Sequence, residues 1–175
     1  ERARHVEVQI LGDLSGKVSH LGERECSIQR HNQKLIEVAP ASNLSATMRN
    51  DIISAAVRFA EQTGYSNLGT FEFLLDDSGD QPCFFFIEAN ARLQVEHTVT
   101  EAVTGVDLVQ TQIRLAAGET LDELGLADPA VNSASGFAIQ ARVNMETIRE
   151  DGSVRPGSGI LTAYDAPSGP GVRTD

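Results

Sequence analysis

The chain is organised around residues 84–97, Phe84-Phe-Phe-Ile-Glu88-Ala-Asn90-Ala-Arg92-Leu-Gln94-Val-Glu96-His97, a run that begins apolar and then becomes dense in polar side chains. A strand that ends in charged residues places functional groups on a rigid element. Upstream, Gly69-Thr-Phe-Glu72-Phe-Leu74 carries one acid in another apolar strand, and residues 76–82 between the two have turn composition. The sequence therefore predicts a hairpin in which the strand from Phe84 is buried.

This hairpin predicts a pair of facing carboxylates. Antiparallel partners have position numbers with a constant sum, so pairing Glu72 with Glu88 centres the turn on residue 80 and puts Asn90 on the same face. Like charges directly opposite destabilise a sheet, unless a cation lies between them. Three oxygen donors suit a hard ion such as Mg²⁺ or Mn²⁺. The residues alone leave open an ordinary hairpin whose two acids face solvent.

Composition indicates a globular protein with a real core. The 175 residues are 41% hydrophobic and carry a formal net charge of −11, which argues against nucleic acid and against an anionic membrane surface as partners. No signal peptide and no apolar run of about 18 residues is evident, so a cytoplasmic location is expected. Cys26 and Cys83 have no metal-site spacing and are predicted to be reduced core thiols. Both ends of the chain are expected to be cut from a longer one.

Two segments precede the first helix. Residues 5–11 alternate polar and apolar, which predicts a half-buried strand, and residues 17–21 form a second strand in a hairpin with it. Residues 23–36 are densely polar. They offer many side chains for phosphate or carboxylate oxygens, but the pattern alone favours an exposed connection between strands.

The remaining strands and helices come in blocks and do not alternate strictly. Residues 44–63 predict a helix capped by Ser45, and Asp107 caps a later one that ends before Gly118. Further predictions are a helical turn at 99–104, a connection at 119–135, strands at 136–144 and 160–164, and a turn at 153–159. Blocks of strands and helices predict an α+β fold with a largely antiparallel sheet and flanking helices.

Several motifs resemble the biotin carboxylase family, one of the ATP-grasp families. They are Arg4-His5-Val-Glu, Glu23-Arg-Glu-Cys-Ser-Ile-Gln-Arg, Asn32-Gln-Lys34, Gly69-Thr-Phe-Glu72-Phe, the run from Glu88 to His97, Thr100-Glu-Ala-Val-Thr-Gly-Val-Asp-Leu108 and Gly169-Pro-Gly-Val-Arg173. The resemblance covers nearly the whole chain and is weakest over 119–135. It implies the C-terminal part of an ATP-grasp core (1–118), a connection (119–135) and the start of the biotin carboxylase C-terminal domain (136–175).

The resemblance also implies an activity. The family is an ATP-dependent ligase that makes carboxyphosphate from bicarbonate and ATP, and then carboxylates biotin on a carrier domain. It implies ATP, Mg²⁺ or Mn²⁺, and biotin as cofactors. The implied partners are a biotin carboxyl carrier domain, a carboxyltransferase domain or subunit, the missing N-terminal and lid parts of the same domain, and a further copy of the parent in a homo-oligomer. The isolated segment is expected to be inactive.

Individual roles follow from the same resemblance. It implies metal binding by Glu72, Glu88 and Asn90, bicarbonate binding by Lys34, Arg92, Gln94 and Val95, ATP contacts by His5, Gln29 and Asn32, a general base in Glu96, and stabilisation of the biotin enolate by Arg173. Burial or the neighbouring Glu88 is expected to raise the pKa of Glu96, and Arg92 to oppose this. His97 matches the motif without an implied role.

The final substrate is left open. Many relatives have His at the position of Asn32, and the Asn variant is similar to urea carboxylases and to single-chain acyl-CoA carboxylases, of which the acyl-CoA type is expected. Pyruvate carboxylase is a further alternative. Another ATP-grasp ligase, such as a carbamoyl phosphate synthase, would share the metal carboxylates, but Lys34 and the run from Arg92 to Glu96 argue against it. A non-catalytic binding or assembly module is the alternative from a different class.

Overall fold

The computed structural model describes residues 3–79 and 81–175, so the predicted turn centre at residue 80 and the first two residues lie outside it. The elements are β1 (Ala3–Gly12), β2 (Val18–Arg30), β3 (Gln33–Ala39), α1 (Ala46–Gln62), β4 (Asn67–Asp76), β5 (Cys83–Asn90), α2 (His97–Thr104), α3 (Leu108–Ala116), β6 (Ala138–Ala141), β7 (Glu146–Ile148) and β8 (Val154–Pro156). Strands β5-β4-β1-β2-β3-β6 form one antiparallel sheet, which confirms the predicted fold class. The chain divides into two compact units, Glu1–Arg142 and Val143–Asp175.

The apolar face of the sheet packs against α1. Val6 and Val8 of β1 and Phe71 of β4 are fully buried with Ile52 of the helix. The helix begins where predicted, because the Ser45 side chain accepts a hydrogen bond from the Met48 amide at 3.2 Å. Burial of this apolar surface is the main force that holds helix and sheet together.

The polar face of β1 is buried as well, so the prediction of a half-buried strand was wrong. Glu7 is 0% exposed and Gln9 is 1% exposed. Alternation in the sequence correctly placed these two side chains on one face. It could not reveal that Arg24 and other polar groups from β2 and α2 cover that face.

The polar segment 23–36 is a hairpin, and its prediction as an exposed connection was wrong. Strand β2 continues through it to Arg30, and β3 returns from Gln33. The two turn residues, His31 and Asn32, have φ values of 50° and 62°. Two consecutive residues in this left-handed region match the two-residue turns that suit the twist of a hairpin. The turn thus brings Lys34 onto the same sheet as Glu7.

The predicted register of the second hairpin is confirmed. Glu72 pairs with Glu88, and Thr70 pairs with Asn90. The register then shifts by one, so that Phe73 pairs with Phe86. This bulge reverses the alternation along β5: the Phe86 ring packs 5.7 Å from Phe73 on the helix side, whereas Glu88 faces the polar side.

Strand β5 itself is not buried, contrary to prediction. Phe85 is 62% exposed and Ile87 is 44% exposed. The strand lies at the edge of the sheet, where among the described residues it pairs only with β4. A run of apolar residues is equally consistent with a central strand or with an edge that another segment covers, and the sequence pattern cannot separate the two.

Helix α2 begins two residues before the predicted helical turn at 99–104, but its end, and the capped start of α3, are as predicted. Helix α2 ends at Gly105 with φ 73°, and the Asp107 carboxylate caps α3 by accepting from the Gln110 amide at 2.7 Å. Of the two cysteines, Cys26 is buried but Cys83 is exposed, so the core-thiol prediction holds for Cys26 alone. Across residues 3–79 and 81–175, no helix is both long and apolar enough to cross a membrane.

The second unit contains a small hairpin of β7 and β8. Strand β8 occupies part of the predicted turn at 153–159. The predicted strand at 160–164 is wrong: the segment pairs with no described strand, and Ile160 is 94% exposed. Strand β6 pairs with β3 and belongs to the first unit. The predicted division at 119–135 stays a prediction.

Candidate active site

One ammonium group holds three carboxylates together. Lys34 Nζ lies 2.5 Å from Glu7 Oε2, 2.6 Å from Glu96 Oε1 and 3.1 Å from Glu72 Oε1. Sheet register explains part of this cluster, because Glu7 is the direct neighbour of Glu72. Burial favours the neutral amine, but the charge of Glu7 and the bonds to the carboxylates outweigh it, so the pKa of Lys34 lies above its ordinary value. Lys34 is therefore a fixed positive charge at the centre of the site.

Glu72 is the most heavily bonded of these acids. Its Oε1 accepts from Gln94 Nε2 and Asn90 Nδ2, each at 2.9 Å, besides Lys34, and its Oε2 lies 2.6 Å from His5 Nε2. Burial raises the pKa of Glu72, but the bonds from His5, Gln94 and Lys34 more than offset burial and bring the pKa to about 2. Glu72 is thus ionised at any pH near neutrality.

The depressed pKa of Glu72 predicts a loss of stability in acid. A carboxylate whose folded pKa lies below its ordinary 4.5 stabilises the fold fully above that pH, and this contribution is lost as the pH falls toward about 2. We expect the free energy of unfolding of the parent domain to fall over this window, with Glu72 supplying at most about 3 kcal/mol. Urea unfolding at several pH values would measure it. Glu72→Gln should flatten the pH dependence, and Glu61→Gln on the exposed face of α1 should leave it unchanged; equal slopes for all three proteins would contradict the assignment.

The residues predicted to bind metal lie together. Asn90 Nδ2 donates to Glu72 Oε1 and to Glu88 Oε1, each at 2.9 Å, so both acids face the same side of the sheet as predicted. Carboxylate oxygens are the ligands that Mg²⁺ and Mn²⁺ prefer. The Asn90 amide would have to turn over to offer its oxygen instead of its nitrogen. Its present bonds show that an electropositive group already suits this position.

Charge balance in the cluster also fits a divalent cation. Three permanently charged cations face five carboxylates, which leaves a formal surplus of two negative charges. The cations are Arg24, Lys34 and Arg142, and the carboxylates are Glu7, Glu37, Glu72, Glu88 and Glu96. The donor set and the charge thus both fit the divalent ion that the resemblance implies. Metal binding by Glu72, Glu88 and Asn90 stays a prediction.

Beneath the site lies a buried arginine that the sequence analysis missed. Arg24 is 0% exposed and donates Nε to Glu7 Oε1 at 2.6 Å. Its two terminal nitrogens donate to Gln9 and Thr100, each at 2.8 Å, and to Thr70 at 3.1 Å. A planar guanidinium is suited to fixing several acceptors at once. Arg24 therefore fixes the orientation of Glu7, which in turn bonds Lys34.

Glu96 is held between two cations. Its Oε1 bonds Lys34, and its Oε2 accepts from Arg142 Nη2 at 2.9 Å. Burial raises the pKa of Glu96. The bond from Lys34 and the charges of Lys34 and Arg24 lower this pKa by more than burial raises it, so the net shift is downward. The expectation of a raised pKa was therefore wrong, because the sequence did not show which cations surround this acid.

The loop from Arg92 to His97 is only partly inside the cluster. Gln94 is 8% exposed, and its Oε1 is buried with no hydrogen-bond partner among the described residues. An orphan acceptor beside Glu72 fits a small ligand that can donate a proton, as bicarbonate can. The loop that carries Gln94 is stabilised by His97, whose Nδ1 lies 2.8 Å from the Gln94 carbonyl oxygen. Arg92 bonds the carbonyl of Leu93 at 3.2 Å and is exposed, so the structure does not bring it to Lys34.

Of the three residues predicted to contact ATP, two are joined to the cluster and one is exposed. His5 Nδ1 lies 2.7 Å from Gln29 Nε2, so these two side chains join each other and Glu72. Asn32 is exposed at the tip of its hairpin. Val95 is 57% exposed. Arg173 lies in the second unit, where its Nε is 2.7 Å from an Asp175 oxygen.

Seven polar residues of the cluster escaped the sequence analysis: Glu7, Gln9, Arg24, Glu37, Thr70, Thr100 and Arg142. A signal existed for two of them, because Glu7 and Gln9 follow His5 at a spacing of two and so share its face. For Arg24 and Arg142 no local signal existed. Their bonds to Gln9, Thr100 and Glu96 join residues far apart in the chain.

Comparison with known proteins places this site in context. The profile of the family described as "Carbamoyl-phosphate synthase L chain, ATP binding domain" matches residues 1–124. The whole chain is 50% identical over 179 aligned residues to "Biotin carboxylase" of Nostoc sp. and 49% identical over 175 residues to "Pyruvate carboxylase 1" of Caenorhabditis elegans. A solved "Biotin Carboxylase domain of single-chain bacterial carboxylase" is 52% identical and superposes with a TM-score of 0.86 over 99% of the chain.

The chain is much shorter than these relatives. It spans 37% of the Nostoc protein, 38% of the solved bacterial domain and 14% of the worm protein. The similarity nevertheless extends over all or nearly all of the chain, and therefore includes the whole cluster around Lys34.

Proposed function

Because the chain belongs to the family of the carbamoyl-phosphate synthase L chain ATP-binding domain and is part of a biotin carboxylase domain, we propose that it carries the metal and bicarbonate half of an ATP-dependent biotin carboxylation site. The parent protein would form carboxyphosphate from bicarbonate and ATP and then carboxylate biotin on a carrier domain. The observation that carries this proposal is the convergence of Glu72, Glu96 and Glu7 on the single ammonium of Lys34.

Lys34 and Gln94 supply the bicarbonate subsite. A fixed positive charge attracts the anion, and the orphan Oε1 of Gln94 can accept a bond from its hydroxyl. Arg92, two residues before Gln94, is exposed and offers the planar fork that best fits a carboxylate, so we propose that it turns inward when bicarbonate binds. The Val95 backbone would complete this subsite.

Glu72, Glu88 and Asn90 would hold Mg²⁺ or Mn²⁺ against the nucleotide. A divalent ion in that position would neutralise negative charge on the phosphates as the γ-phosphoryl group is transferred. His5 and Gln29, which already join Glu72, and Asn32 would contact the nucleotide. An Asn amide can bond a phosphate oxygen but adds no positive charge.

Glu96 would remove the proton of bicarbonate. Its two cations hold it ionised, which keeps it ready to accept a proton, but also makes it a weak base. When bicarbonate binds Lys34, the bond from Lys34 to Glu96 must be shared or lost. The loss of that bond would strengthen the base at the moment when the substrate is present.

The remaining partners stay at the level of proposal. Arg173 would stabilise the biotin enolate once the carrier domain brings biotin to the site. A carboxyltransferase domain or subunit would then pass the carboxyl group to an acceptor, which we propose to be an acyl-CoA, with pyruvate or urea as the alternatives. Association of the parent protein with a second copy, and its cytoplasmic location, are further expectations.

The test is the substrate requirement of the full-length parent. We expect ATP cleavage that depends on bicarbonate and is stimulated by free biotin, with carboxybiotin as the product. Cleavage that requires ammonia or glutamine and gives carbamoyl phosphate would instead favour a carbamoyl phosphate synthase. Binding of MgATP without any turnover would favour the non-catalytic module.

The isolated chain of residues 1–175 should not catalyse biotin-dependent ATP cleavage. Catalysis of phosphoryl transfer is mainly positioning and charge stabilisation in a site closed from water, and the lid and opposing domain that would close this one lie outside the chain. We expect biotin-dependent ATP cleavage by the full-length parent and none by residues 1–175 assayed beside it. Turnover by the segment near the rate of the parent would mean that the nucleotide site is misplaced.

A further inference from the structure

On the basis of the proposed function, we infer that Arg142 is a positioning residue, which holds Oε2 of Glu96 so that Oε1 is the oxygen that meets bicarbonate. Arg142 directly follows β6, and its backbone amide bonds the Leu35 carbonyl at 2.9 Å, which continues the pairing of β6 with β3. Its side chain reaches Glu96 Oε2 at 2.9 Å.

The two oxygens of Glu96 have different surroundings. Oε1 bonds Lys34, which also contacts Glu7 and Glu72, so it faces the bicarbonate and metal side of the cluster. Oε2 bonds Arg142 and faces the pair that Arg142 forms with Glu37. A substrate that occupies Lys34 therefore competes for Oε1 and leaves the bond at Oε2 intact.

Glu37 fixes Arg142 in turn. It is 0% exposed, and its Oε1 accepts from Arg142 Nε at 2.7 Å. Arg142 is a diagonal neighbour of Glu37 across the β3–β6 pair, since Glu37 pairs with Gln140. Thr98, just after Glu96, bonds the Gln140 side chain, so the start of α2 is also attached to β6. Arg142 is thus attached at both its backbone and its guanidinium, and Glu96 is its third contact.

An arginine suits this role better than a lysine. Its rigid fork donates from Nε and Nη at once, so one side chain can bond Glu37 and Glu96 in a fixed relative orientation. A lysine would retain the charge but would have a single donor atom to divide between two acids. A base that is free to rotate loses alignment, and a misplacement of about 1 Å can cost about 10²-fold in rate.

Arg142 is only one of several charged or titratable groups around Glu96. The others are Lys34 and Glu37 of β3, Arg24 and Cys26 of β2, and Glu7 of β1. Lys34 and Arg24 remain when Arg142 is replaced, so Glu96 stays ionised. The main expected effect of replacing Arg142 is therefore on alignment, with a smaller upward movement of the acid limb of the pH profile.

The experiment measures steady-state kinetics of the full-length parent with Arg142→Met, Arg142→Lys and Glu37→Gln. We expect Arg142→Met to lower the kcat of bicarbonate-dependent ATP cleavage about 10–100-fold with little change in KM for MgATP. Arg142→Lys should recover part of this loss, and Glu37→Gln should lie between Arg142→Lys and the wild type. Arg49→Met is the matched control, since Arg49 pairs with Glu23 at 2.7 Å but contacts none of the site residues.

The outcomes separate this inference from the proposed function. A wild-type parent without bicarbonate-dependent turnover would overturn the proposed function itself. An active wild type with an unchanged kcat in Arg142→Met, or a loss no larger than that of Arg49→Met, would overturn the inference alone. If Arg142→Met does not fold, Glu37→Gln decides: a lowered kcat with unchanged KM for MgATP supports the positioning role, and a wild-type kcat refutes it.

Discussion

Replacement of Glu96 by Gln should lower bicarbonate-dependent ATP cleavage by the full-length parent about 10²–10⁴-fold, the usual contribution of a general base. Gln keeps the shape of Glu but cannot accept a proton. Its amide must also present N–H donors to Lys34 or to Arg142, which are themselves donors at 2.6 Å and 2.9 Å in the native site. The substitution thus removes the group that accepts the proton and one of the two bonds that hold the side chain.

Binding of MgATP should be almost unaffected by this change, because the predicted nucleotide and metal contacts do not include Glu96. The measurement is kcat and KM for MgATP and bicarbonate, with direct nucleotide binding by calorimetry. Glu119→Gln is the control, since Glu119 pairs with Arg114 outside the cluster. Unchanged turnover in Glu96→Gln would show that another group takes the proton, and the assignment of the base would fail.

Arg24→Met should be the most destabilising single change in the cluster. The substitution leaves Glu7 buried without its 2.6 Å partner and removes the donors to Gln9, Thr70 and Thr100. Breaking a buried ion pair by removing one partner costs about 3–5 kcal/mol, because the remaining charge is uncompensated. Lys34 still contacts Glu7, which keeps the expected cost at the lower end of that range.

Urea unfolding of the parent domain would measure this loss. Arg114→Met is a suitable comparison, because its pair with Glu119 is solvent-exposed and such pairs contribute little to stability. The double replacement of Arg24 by Met and Glu7 by Gln should recover part of the stability, since no buried charge is then left alone. A cost below 1 kcal/mol for Arg24→Met would mean that water reaches Glu7 and replaces the guanidinium.

Local patterns predicted the elements that depend on neighbours in sequence. Ser45 and Asp107 cap their helices because a short polar side chain near a helix start can reach the free amides, whatever the rest of the chain does. The pairing of Glu72 with Glu88 was predictable for a similar reason, because a short turn between two strands leaves few possible registers. The resemblance then indicated which of these residues carry the chemistry.

Features that depend on distant partners were not predictable in this way. A strand such as β1 alternates in the same manner whether its polar face meets water or a buried Arg24. Likewise, the sequence places Arg142 outside every local motif, and only the pairing of β6 with β3 brings it to Glu96. The direction of the Glu96 pKa shift was wrong for this reason, since it depends on cations contributed by other strands.

The bulge in β5 limits where residues can be inserted or deleted without turning side chains to the other face of the sheet. Phe86 and Glu88 are two positions apart, yet they point to opposite faces, because their partners Phe73 and Glu72 are adjacent and the extra residue, Ile87, lies in β5. Deleting Ile87 would restore regular pairing and keep both faces correct, whereas a deletion before Phe86 would send the aromatic rings toward the charged side. Length variation among homologues should therefore concentrate at 77–82, between the two strands. A change of length there does not turn the apolar side chains of β5 toward the charged face of the sheet.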